Sequence, residues 1–99
     1  MATKSEARKF LGDVPPEQSF WVNNGQIFRN LGELANALPV MDGDSFRHHV
    51  NNEKNDFSRW INDIIGDKKL ANDLLSSRNK EYVLKKIKNR INLLKKKAG

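Results

Sequence analysis

The chain has 99 residues, no cysteine, and 18 lysines and arginines against 12 aspartates and glutamates, for a formal net charge of +6. This length supports one small domain, and with about a third of the residues apolar its core must be assembled from amphipathic faces. Disulfides, thiolate nucleophiles and cysteine-ligated zinc are excluded, and no apolar run approaches the roughly 20 residues needed to span a bilayer.

Residues 1–18 mix small, charged and proline residues (Pro15, Pro16), which predicts a flexible lead-in to a compact domain over 19–97. No continuous apolar stretch near the start reads as a secretory signal, so a cytoplasmic location is expected. From Ser19 the character changes. Phe20, Trp21 and Val22 face Ile27 and Phe28 across Asn24-Gly25, a strong hairpin signal. A type I′ turn and a three-residue turn through Asn23 both fit.

Asn30 with Glu33 suits a helix start, Leu31, Leu34, Ala35 and Leu38 share one face, and Pro39 ends it. Asp42 is expected to cap a short helix aligning Phe46 with Val50. Asn55 is expected to cap the next, with Phe57, Trp60, Ile61, Ile64 and Ile65 on one stripe. Gly66-Asp67 reads as a left-handed stop abutting a new cap, followed by the apolar face of Leu70, Ala71, Leu74 and Leu75. A long helix is predicted over 79–97. The fold class is therefore α+β and mainly α: an N-terminal β-hairpin on about four or five helices, with a long basic C-terminal helix.

The runs Phe46-Arg47-His48-His49-Val50, Glu53 to Ile61 and Gly66 to Ala71, with the upstream hairpin and first helix, resemble a family of small prokaryotic domains of unknown function. Members are common in archaea, alone or attached to larger proteins. The resemblance covers about residues 19–75, implies a single domain, and carries no activity with it.

The polar corner around His48 and His49 invites a chemical reading in which His49, Glu53 and Asp56 converge as an acid–base or metal group. Adjacent histidines point apart on a helix, so the pair cannot easily chelate one ion as an i, i+4 pair does. The ordinary reading is preferred: His49 at the core edge, with asparagines as caps and turns. Asp56, Arg59 and Asp63 are expected to form an outward ion-pair ladder. Trp21, Phe20 and Phe28 are candidates for a base-stacking platform, but so small a chain needs such rings in its core. No catalytic residue, metal ligand set or cofactor is expected.

Charge is the clearest functional lead. Residues 1–40 are neutral overall, 41–75 carry −2, and 76–99 carry nine cations against Glu81 alone, or +8. On the last helix Val83, Leu84, Ile87, Ile91 and Leu94 form an apolar stripe, leaving cations for the remaining sides. The expected function is a non-enzymatic binding module that contacts nucleic-acid phosphates through Lys85, Lys86, Lys88, Arg90, Lys95, Lys96 and Lys97, supported by Arg78 and Lys80. A membrane-surface role ranks below this, because the apolar stripe lacks tryptophan and phenylalanine and is needed by the core. The alternative is a protein–protein or homodimerisation module using the hairpin edge or a polar surface of His48, His49, Asn51, Asn52 and Glu53.

Overall fold

Short polar side chains start the helices. The structure, a computed structural model, describes residues 2–99. Within it Thr3, Asn30, Asp42, Asn55, Asp67 and Asn79 each accept from the amide three residues on. Each satisfies one of the orphan donors of a helix N-terminus. The helices so begun are α1 (Lys4–Leu11), α2 (Leu31–Ala37), α3 (Gly43–His49), α4 (Asp56–Trp60), α5 (Lys68–Leu74) and α6 (Lys80–Ala98). Glu33 reaches back one residue beyond its cap and accepts from the Arg29 amide at 2.8 Å.

The hairpin pairs β1 (Phe20–Trp21) with β2 (Ile27–Phe28), Phe20 opposite Phe28 and Trp21 opposite Ile27. The Gly25 amide donates to Val22 O at 2.9 Å and the Val22 amide to Gln26 O at 2.8 Å. The three-residue turn is therefore the one formed, with Gly25 in the left-handed region at φ 95°. Strand alternation buries Phe20 and Phe28 and leaves Trp21 and Ile27 outside. Two of the three rings considered for base stacking are thus core residues. Phe20 stacks on Phe28 at 4.9 Å, and Phe57 lies 5.0 Å from Phe20 and 6.1 Å from Phe46. The mainly helical α+β architecture expected from the sequence is the one observed.

The segment expected to be flexible is instead part of the fold. Thr3 and Glu6 form a reciprocal capping box, and α1 buries Ala7 and Phe10 while packing along α6. Val14 is buried too, and its amide donates to Arg29 O at 2.8 Å, tying the segment to the end of β2. The boundary expected at residue 19 is therefore corrected, since the core includes side chains from residue 7 onward. Met1 lies outside the described residues.

A second departure follows α4. The chain continues through a π turn, Ile61–Ile65, in which the Gly66 amide donates to Ile61 O at 2.7 Å. Gly66 then reverses direction at φ 93°. The wider turn rotates the positions after Ile61, so Phe57, Trp60, Ile61 and Ile65 are buried but Ile64 only partly. The Asp56–Arg59–Asp63 ladder does not form: Asp63 accepts from Asn62, and Asp56 pairs elsewhere.

Candidate nucleic-acid interface

α6 has one face committed to the core. Val83, Ile87, Ile91 and Leu94 are buried, and α1, α2 and α5 pack against the helix. Since 3.6 residues make a turn, this commitment fixes what faces outward. Lys85, Lys88, Lys95 and Lys96 are exposed, together with Asn89 and Asn92. No carboxylate lies within ion-pair distance of these four lysines among the described residues. From Lys85 to Lys96 the rise is about 16 Å.

The remaining cations of the tail are not equivalent. Arg90 lies on the inner flank, where Nε donates to Asp67 Oδ2 at 2.7 Å and an outer nitrogen to Oδ1 at 2.9 Å. The side chains are 11 % and 1 % exposed, so this fork-shaped pair is internal. Arg90 was expected to contact phosphate, and the structure corrects that: its charge is consumed in joining α6 to the start of α5. Lys80 donates to Met41 O at 2.7 Å. Lys86 is half-buried with Nζ 5.4 Å from the Tyr82 ring centroid, and Lys97 is also half-buried. Arg78 is exposed in the loop before α6 and lines a cavity of about 370 Å³ with Asn51, Asn52 and Glu53. The basic tail and the polar corner therefore adjoin at Arg78.

The polar corner has an internal use. His49 is buried, with Nδ1 2.9 Å from Asp56 Oδ2, while Nε2 accepts from the Asn23 amide at 3.2 Å. That acceptance assigns the ring hydrogen to Nδ1, which donates to Asp56. Both ring nitrogens are engaged, and the ring links the hairpin turn, α3 and α4. Asn51 gives its amide to Arg47 O at 3.0 Å and accepts from the Glu53 amide at 2.9 Å, closing α3. His48, Asn52 and Glu53 are exposed. Among the described residues no group of three or more His, Cys, Asp or Glu side chains converges as a metal site requires.

Burial raises the Asp56 carboxyl, but hydrogen bonds from Lys54 and His49 and the charge of Lys54 outweigh it, leaving the group below the ordinary carboxylate range. A lowered folded value means that the stabilisation is present above the unfolded value and is lost as pH falls through the folded one. Asp56→Asn is accordingly expected to flatten the acid limb of the stability profile below about pH 4. Urea denaturation at several pH values checks this; an acid limb identical in parent and variant contradicts it.

Family models, curated proteins and solved structures return no match to this chain.

The site thus stands on its own residues, and one of its neighbours was missed in the sequence. α1 carries Lys4 to the end of α6, where a Cβ placed on Gly99 would lie 3.4 Å from Lys4 Cε. Thr3 with Glu6, followed by Ala7, Phe10 and Leu11 at helical spacing, was the available signal. No helix of the described residues is long and apolar enough to cross a membrane.

Proposed function

We propose that this chain binds nucleic acid, chiefly through phosphate contacts made by the outward face of α6. One observation carries the reading: Lys85, Lys88, Lys95 and Lys96 share an exposed helix face and have no carboxylate partner among the described residues. Surface lysines kept for solubility are commonly interspersed with acids, whereas here Glu81 is the one acid of the helix. Lys4 lies near the C-terminal end of α6 and Arg78 just before its start as supporting charges, and the role of every cation is electrostatic. Residues 19–75 are further proposed to be kin to small prokaryotic domains of unknown function, a resemblance that adds no ligand.

The test is a charge-matched comparison. Changing Lys85, Lys88, Lys95 and Lys96 together to glutamine is expected to weaken binding to mixed-sequence DNA or RNA at least tenfold, with the fold intact by circular dichroism. Changing Arg29, Arg47, Lys54 and Lys69 to glutamine removes as many charges from existing ion pairs. That control is expected to stay within about threefold of the parent. Equal losses in the two variants contradict a dedicated face.

A protein-contact reading, including a homodimer, retains one observation in its favour. Trp21 and Ile27 are 66 % and 48 % exposed as a cross-strand pair on the outer hairpin face. Sedimentation over a range of concentrations measures whether a second copy covers it.

A further inference from the structure

The outward face of α6 is more ordered than a spread of positive charge. At about 100° per residue, Lys88 and Lys95 fall within about 20° of each other, and so do Lys85 and Lys96. The two pairs form rows about 80° apart around the axis, and Asn92 lies between them. Asn89 lies just beyond the second row. All six side chains are exposed, and the opposite face of the helix is fixed in the core. The arrangement is a central amide flanked on both sides by cations.

We infer that α6 docks in the major groove of B-form duplex DNA, with the lysine rows on the phosphates of the two groove walls and Asn92 directed at base edges. This rests on the phosphate-binding reading above. A helix with its side chains is about 10–12 Å across, and the major groove is about 12 Å wide. Lysines on the flanks of such a helix reach its walls, while the residue between them faces the floor. An asparagine there offers an amide hydrogen and a carbonyl oxygen, the complement of adenine N7 and N6. The deep, narrow major groove of A-form RNA does not admit the same helix. Glu81, nearly two turns before Lys88, sets the N-terminal limit of the contact, which then covers Lys85 to Lys96.

The experiment measures fluorescence anisotropy of the full chain with two DNA duplexes, one A·T-rich and one G·C-rich at the centre, and with the RNA duplex matching the first. DNA is expected to bind at least tenfold more tightly than RNA, with the A·T-rich duplex preferred. Asn92→Ala is expected to remove most of that preference without changing the salt slope, whereas Lys88→Gln and Lys95→Gln each lower the slope by about one. Equal binding to DNA and RNA duplexes overturns groove docking while leaving phosphate binding standing. A sequence preference untouched by Asn92→Ala overturns the assigned reader. No binding to any of the three duplexes overturns both this inference and the function it rests on.

Discussion

Arg90→Met is expected to destabilise the domain by about 3–5 kcal/mol, the usual cost of leaving one member of a buried ion pair without its partner. Asp67 is 1 % exposed and does two jobs, accepting from Arg90 and capping α5 through the Leu70 amide at 3.2 Å. Methionine fills part of the space but leaves the carboxylate facing apolar surroundings. For a domain of this size the melting temperature falls by well over about 10 °C. The double variant Asp67→Asn, Arg90→Met removes the stranded charge, keeps a capping oxygen and is expected to recover much of the loss. Thermal and urea denaturation followed by circular dichroism measure both. A loss below about 1 kcal/mol in the single variant means that Arg90 is dispensable to the fold, and its exclusion from the binding face fails.

Phe57→Ala carries the second large effect, about 3–5 kcal/mol, as is usual when a buried aromatic leaves a cavity. Phe57 is fully buried and meets Phe20, Phe28, Phe46 and the His49 ring. A hairpin of two residues per strand has little stability alone, so these rings hold it on α3 and α4. Phe57→Leu, which keeps more of the volume, is expected to lose clearly less. The alanine variant is also expected to expose the Asn23 amide to exchange with solvent, because the hairpin turn is held by His49 Nε2. Protection of that amide unchanged in Phe57→Ala contradicts the coupling.

Most helix boundaries were legible because their signals are local. Asn30, Asp42, Asn55 and Asp67 occupy caps that spacing alone identifies, and Gly66 takes the positive φ its place required. The hairpin was legible as a hairpin, but its turn type depended on a hydrogen bond from Gly25 to Val22 that sequence left open. What was not legible depends on contacts between distant residues. Phe10 and Val14 look incidental among charges and prolines until α6 supplies a surface for α1. The π turn is a tertiary choice, and it moved Ile64 and Asp63 from the places a regular helix gives them.

The candidate site divides in the same way. Helical periodicity sufficed to place Lys85, Lys88, Lys95 and Lys96 outside, since Ile87 and Leu94 must be inside. It could not assign Arg90, because its partner Asp67 lies 23 residues away in sequence. His49 does meet Asp56, a pairing the sequence offered only within the disfavoured acid–base reading, and the Asn23 amide that occupies the other ring nitrogen comes from a remote turn. Glu53 takes no part in that pair.

The most direct test of the central claim is the salt dependence of binding by the unmodified chain. Affinity for duplex DNA is measured by anisotropy across a several-fold range of potassium chloride, with log K plotted against log salt. Four phosphate contacts from Lys85, Lys88, Lys95 and Lys96 predict a slope of about −3.6. A slope near zero, or no detectable binding at the lowest salt, contradicts a nucleic-acid interface on α6.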